Sequence, residues 1–188
     1  MKKIFSVVIL IVAMSFGANA QDVISSSGSG GPGAGSNEVK INFLNLILLG
    51  SVEVGYEKFL SENHSLDLQV HLNDRFGFNS QKDGKTYKTN SVQASMNFYF
   101  GDNTNGRFYL YPLAKLRFGD FEETIDGDVV TTNMNAFIFG AGVGYKWEVS
   151  ENFAFGPYAS VVRGFSQEVS DRFATIEVNG GFSLGYRF

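Results

Sequence analysis

TIEVNGGFSLGYRF, residues 175–188, alternates at every second position. Ile176, Val178, Gly180, Phe182, Leu184, Tyr186 and Phe188 form one set; Glu177, Asn179, Gly181, Ser183, Gly185 and Arg187 form the other. The first set is apolar and ends in two aromatics, and the second is polar or small. A period of two belongs to a β-strand with one face in an apolar medium. This strand runs to the last residue of the sequence, and that residue is Phe. A strand that closes a barrel and sets its rings at a membrane interface has this form.

The same alternation repeats upstream. A first strand is expected over residues 38–49, with Val39, Ile41 and Phe43 opposite Lys40 and Asn42. Its phase breaks at Leu44-Asn45-Leu46, because keeping phase would put Asn45 in lipid at high cost; a β-bulge is expected there. A tight Gly50-Ser51 turn leads to Val52, Val54 and Tyr56, opposite Glu53, Gly55 and Glu57. The third strand sets Leu66, Leu68, Val70 and Leu72 against Asp67, Gln69, His71 and Asn73. The fourth sets Val92, Ala94, Met96, Phe98 and Phe100 against Ser91, Gln93, Ser95, Asn97 and Tyr99. In the fifth, Lys115 and Arg117 share a face with Tyr109 and Tyr111, and Pro112 calls for a local bulge because it cannot donate to a ladder. The sixth sets Phe137, Phe139, Val143, Tyr145 and Trp147 against Gly140, Gly142, Gly144 and Lys146, and the seventh covers residues 153–165.

The connections are ordered. Residues 61–64, 101–106 and 148–152 make short turns on one side. Longer hairpins, with tips at Asp83-Gly84 and Asp126-Gly127, and a loop over 166–172 lie on the other. Phe98, Phe100, Phe108, Tyr145, Trp147, Phe153, Phe155, Tyr186 and Phe188 flank the short turns or the last strand, as an aromatic girdle would. The fold class that follows is all-β: an eight-stranded antiparallel up-and-down transmembrane β-barrel over residues 38–188.

The N-terminus specifies export. Residues 1–20 have the form of a cleavable signal peptide: Lys2 and Lys3, an apolar core over 4–16, and Ala18-Asn19-Ala20 as a small-x-small site, with cleavage after Ala20. That core is too short to span a bilayer as a helix. Residues 21–37 form a flexible segment rich in Gly and Ser; no strand–helix context supports a phosphate loop there. The location expected is the outer membrane.

Composition narrows the chemistry. With 19 Phe and 22 Gly against 3 Pro, the chain favours strands. It has no Cys, which excludes disulfides, thiolate metal sites, a cysteine nucleophile and an N-terminal lipidated cysteine. Loss of Lys2 and Lys3 with the signal segment leaves 13 basic against 19 acidic residues, a poor balance for nucleic-acid binding.

The spacing Phe182, Leu184, Tyr186, Phe188 resembles the C-terminal recognition signal of outer-membrane β-barrels, which implies reading by the barrel-assembly machinery. The signal peptide, the eight amphipathic strands and the terminal Tyr-x-Phe together resemble the small OmpA/OmpX-type barrels. The opening NEVKINFLNLILLGSVEVGYEKFL is similar to a Bacteroidetes-type barrel family without an assigned role. These resemblances imply architecture more than function.

Inward positions carry both signs: Lys40, Lys115, Arg117, Lys146 and Arg187 against Glu53, Glu57, Asp67 and Glu177. Eight strands enclose a space that side chains fill, so these charges must pair. The expectation is a salt-bridged, plugged lumen with Glu53 and Glu177 facing Lys115 and Arg117 in the outer half. The alternatives are a narrow gated pore or small-ligand carrier, and a soluble periplasmic carrier barrel with apolar side chains inside. No catalytic grouping emerges: His64 lies in a turn, and His71 faces inward beside Asp67 and Gln69 without a converging nucleophile. The acidic residues of 119–128 lack EF-hand spacing and read as a solvated outer loop, so neither metal nor cofactor is expected. The partners expected are outer-membrane lipid and lipopolysaccharide, with the protein a monomer.

Overall fold

The computed structural model describes residues 37–74, 85–101, 106–150, 152–171 and 173–188. The signal peptide, the Gly/Ser-rich segment apart from Asn37, and the Asp83-Gly84 hairpin tip lie outside the described residues. The elements are β1 (Asn37–Asn42), α1 (Phe43–Leu49), β2 (Val52–Ser61), β3 (His64–Leu72), β4 (Lys85–Phe100), β5 (Arg107–Ile125), β6 (Asp128–Asn133), β7 (Ala136–Glu148), β8 (Phe153–Phe165), α2 (Gln167–Ser170) and β9 (Ile176–Arg187). All strand pairings are antiparallel. Eight strands close a ring in the order β1-β2-β3-β4-β5-β7-β8-β9, and β6 branches off β5 as a hairpin. The ring shuts where β1 meets β9, with Phe188 N–H donating to Asn37 O at 2.9 Å and Asn37 N–H to Phe188 O at 3.0 Å.

Alternation sets the direction of every side chain. Val54, Leu66, Leu68, Val70, Val92, Leu110, Phe139, Val143, Val161 and Leu184 are exposed, whereas Glu57, Asp67, Lys115, Arg117, Lys146 and Glu177 are buried. Apolar residues point out and charges point in, the reverse of what a soluble carrier barrel requires. Around the short-turn rim the rings touch in a belt: Phe100–Phe108 at 6.4 Å, Tyr145–Trp147 at 5.0 Å, Trp147–Phe155 at 5.4 Å and Phe153–Tyr186 at 5.2 Å. Such belts suit amphipathic rings at a membrane–water boundary.

The wall departs from the sequence-based expectation in several places. Residues 43–49 form α1 instead of extending β1 through a bulge. Asn42 caps the helix, its side chain accepting the Asn45 N–H at 3.2 Å. Gly50, at φ 64°, ends it in the left-handed region, so the Gly50-Ser51 pair is a helix stop and not a tight turn. The helix resolves the phase conflict by turning Asn45 inward while Leu44, Leu46, Ile47 and Leu48 face out. Pro112 needs no bulge. The β4–β5 register is the same on both sides of it, Ser95↔Leu113 and Phe98↔Leu110, with only the intervening rungs missing. The acidic loop is a regular hairpin, with Asp126 (φ 53°) and Gly127 (φ 94°) at its turn. Its Glu122 and Glu123 pair with Lys88 and Lys85 of β4 at 2.8 and 2.9 Å.

Glycine on β7 lets tyrosines lie flat against the wall. Tyr109 and Tyr111 of β5 stand opposite Gly144 and Gly142, and a Cβ on either glycine would come within 2.3 or 2.2 Å of a ring carbon. Gly144→Val should therefore lower unfolding free energy by about 1–3 kcal/mol through overpacking. Denaturant titration of the folded gel band checks this; Val161→Ala on the outer face should change it by less.

Candidate functional site

Every strand of the ring contributes inward polar side chains, which sort by depth into two charged clusters with a chamber between them. The lower cluster, near the short turns, is built on Glu57, which is fully buried. Lys146 Nζ reaches Glu57 Oε2 at 2.7 Å and Glu38 Oε1 at 2.9 Å. Lys40 Nζ lies 3.1 Å from Glu57 and 2.7 Å from Asp67. Asn97 donates to Glu57 at 2.8 Å, and the Ser65 and Tyr99 hydroxyls donate to it as well. Arg187 Nε meets Glu38 at 2.9 Å, and Arg187 and Arg107 share Glu148 at 3.1 and 3.2 Å. Arg107 also stacks over Tyr99, 4.5 Å from its centroid. Four cations face four carboxylates, and Tyr99, Tyr109 and Phe59 are buried beside them.

The upper cluster is smaller. Arg117 grips Glu177 through both terminal nitrogens, at 2.9 and 2.8 Å. Its Nε meets Asp74 at 3.1 Å, and Lys115 lies 3.3 Å from the same carboxylate. Asp74 sits beyond the end of β3. Burial alone would raise its carboxyl pKa; Lys115, Arg117 and His71 outweigh that and hold it well below the usual carboxylate range. Above this cluster Tyr87, Phe121, Met134 and Val169 form an apolar cap with Phe173 packed on it.

Between the clusters stands Glu53. It does not face Lys115, as the sequence suggested. Lys115 pairs with Asp74, and Glu53 instead accepts from Asn42 at 2.8 Å, Asn45 at 2.7 Å and the Tyr158 hydroxyl at 2.7 Å. Its nearest positively ionisable neighbour is His71, with Nδ1 at 3.7 Å. Neither ring nitrogen of His71 has a hydrogen-bond partner, although the residue is only 5% exposed. Both residues line a chamber of about 40 Å³, together with Gln69, Gln93, Tyr111 and Asn179. Among the described residues no cluster of three or more His, Asp or Glu is arranged to hold a metal ion.

All nine lumen charges singled out from the sequence thus face inward: Lys40, Glu57, Asp67, Lys146 and Arg187 in the lower cluster, Lys115, Arg117 and Glu177 in the upper, and Glu53 between. Sequence reasoning missed Glu38, Arg107, Asp74 and Glu148. Glu38 and Arg107 share the parity of Lys40 and Tyr109, a signal already present. Asp74 turns inward only because Asn73, at φ 56°, breaks the alternation. Phe182, Leu184, Tyr186 and Phe188 lie along the outer side of β9, where Phe182 stacks on Phe155 at 5.6 Å.

A family model described as "Protein of unknown function (DUF3575)" matches residues 6–185, nearly the whole chain. The chain belongs to the DUF3575 family. No curated protein matches this DUF3575 chain. Among solved structures it is similar to the N-terminal β-barrel domain of Pseudomonas aeruginosa OprF. That match has 17% identity and a TM-score of 0.53, covering 84% of this chain and 100% of the other. It also resembles Ail of Yersinia pestis, at 13% identity, TM-score 0.48 and coverage of 82% and 99%. Neisserial surface protein A matches at 14% identity and TM-score 0.47, over 81% of this chain and 92% of that one. The OprF likeness places this DUF3575 member in the fold of small eight-stranded outer-membrane barrels, in keeping with its outward apolar face.

Proposed function

We propose that the protein is an integral outer-membrane barrel that serves the envelope structurally or through its outer hairpins, with no catalytic activity and no conducting pore. The signal peptide over 1–20 exports it, with cleavage after Ala20. The barrel-assembly machinery inserts it by reading Phe182, Leu184, Tyr186 and Phe188, and it works as a monomer among lipid and lipopolysaccharide. The observation that carries the reading is the lower cluster. Glu57 is fully buried, Lys146 is within 2.7 Å of it, and Ser65, Asn97 and Tyr99 donate to it. A lumen so filled leaves no path for a hydrated ion, and an eight-stranded ring is the size at which side chains suffice to fill it.

Purified mature protein in planar bilayers should be electrically silent; a steady, ion-selective conductance would replace this reading with the gated pore. Lipid A from overproducing cells should keep its mass, and a gained or lost acyl chain would make the protein an enzyme.

A further inference from the structure

The wall of the barrel is incomplete at one place. β1 ends at Asn42, paired with Ser183, whereas β9 continues to Ile176 with a strand partner on its β8 side only. Along that open edge Asn42 Oδ1 accepts the Phe182 N–H at 3.3 Å, and above it α1 stands where a strand would be. A helix satisfies its own backbone and cannot zip to a strand edge, so this seam lacks the ladder that joins neighbouring strands elsewhere in the ring, where single gaps occur beside Pro112 and Pro157. Outside it lie Leu46, Ile47, Leu48 and Val178, all exposed apolar residues. Inside it is the chamber. Val178, Asn179 and Gly180 of β9 line the chamber, so it abuts the stretch of β9 that α1 covers, where Phe43 meets Phe182 edge-on at 5.4 Å.

The chamber has a definite chemistry. Glu38, Glu57, Asp67, Asp74 and Glu177 each have a Lys or Arg within 4.0 Å, but among the described residues Glu53 has only His71. Taken with the upper cluster, three carboxylates (Glu53, Asp74, Glu177) face two obligate cations (Lys115, Arg117). Among the described residues Glu53 is thus the lumen carboxylate without a Lys or Arg, and neither ring nitrogen of the neighbouring His71 makes a hydrogen bond. The volume of about 40 Å³ accepts roughly three water-sized centres. The lower cluster lies on one side of it, and the apolar cluster of Tyr87, Phe121, Met134 and Val169 lies beyond the upper cluster.

We infer that the break in the wall between α1 and β9 is a side portal, and that the chamber behind it takes the ammonium head of a single-chain amphiphile whose tail stays in the surrounding apolar layer. This goes beyond the proposed envelope role and is compatible with a silent barrel, since nothing crosses the lower cluster. The ammonium gives Glu53 the kind of partner that Lys and Arg give the other lumen carboxylates, and its hydrogen bond to Glu53 meets the cost of leaving water.

The chain has two histidines, so imidazole nitrogen spectra of the labelled mature protein in dodecyl maltoside report the site directly, with His64 at the short-turn rim as internal reference. Titration with dodecylamine at neutral pH should shift His71 saturably and leave His64 in place. Dodecanoate, with a similar tail and the opposite charge, should not shift His71; an equal response to it overturns the proposal, as does an unmoved His71 with dodecylamine. Methylamine should bind at least tenfold more weakly than dodecylamine; equal affinity would mean a free amine arriving without the seam, and would overturn the portal. Glu53→Gln should weaken dodecylamine binding at least tenfold, and unchanged affinity removes Glu53 from the site. Gly180→Phe adds bulk on the seam side of β9, its Cβ 3.3 Å from Tyr158 O, a tight contact that a shift of a few tenths of an ångström relieves. It should weaken or slow dodecylamine binding at least tenfold, and unaltered binding overturns the route. The comparison of ligands on the unaltered protein stands even if a variant fails to fold, and a failed conductance test would leave it untouched.

Discussion

Glu57→Ala is expected to lower the unfolding free energy by about 3–5 kcal/mol, the usual cost of removing one partner from a buried ionic cluster. Glu57 receives Lys40, Lys146, Ser65, Asn97 and Tyr99, and no part of it is open to solvent. Its loss leaves Lys40 with Asp67 and Lys146 with Glu38, so neither cation is stranded outright. The charge balance of the cluster is nevertheless broken in a region with little water to repair it. Restoring the balance should restore stability: Glu57→Leu combined with Lys146→Met should recover more than half of the loss, because the pair then becomes packed apolar volume. Urea titration of the folded band in detergent reads both numbers. A loss below about 1 kcal/mol for Glu57→Ala is what exposed pairs show. It would mean that water already reaches the cluster, and the silent-lumen reading would fall with it.

Leu68→Arg is expected to cost about 2–4 kcal/mol, the penalty of a guanidinium on the lipid face near mid-span. Leu68 is central in β3, 46% exposed, with Tyr56 and Ala94 as its cross-strand neighbours. Its backbone rungs do not depend on the side chain, so the penalty comes from the medium outside. The matching change one residue on, Gln69→Leu, alters the lumen face and should cost less than Leu68→Arg. Folding yield and urea midpoint in phosphatidylcholine vesicles measure the contrast. If Leu68→Arg folds into vesicles as well as the unaltered chain, the exposed apolar face is not in lipid and the membrane assignment is lost.

Much of this architecture is local in origin and was therefore legible in the residues alone. Side chains on a strand alternate, so the faces of β1, β2, β3, β4, β5, β7 and β9 followed from order, and the nine lumen charges with them. Turn chemistry is local too: Asp126-Gly127 marked its hairpin without any knowledge of the rest. The OprF likeness, at 17% identity, speaks to the fold alone and agrees with the eight-stranded ring.

Other features needed the third dimension. An apolar run such as FLNLILL is compatible with strand or helix. The choice fell to α1 because Asn42 could cap it, Gly50 could end it, and Asn45 could reach Glu53 at 2.7 Å across the chain. Alternation says that Glu53 and Lys115 point inward, but not that they meet. Which charges share a depth depends on the stagger of strands around the closed ring, a property of the whole sheet. That stagger gave Lys115 to Asp74, left Glu53 with uncharged donors and His71, and stopped β1 short of the upper half of β9. The side-chain period was thus written in the sequence, whereas partner choice and the break in the wall arose only when the ring closed.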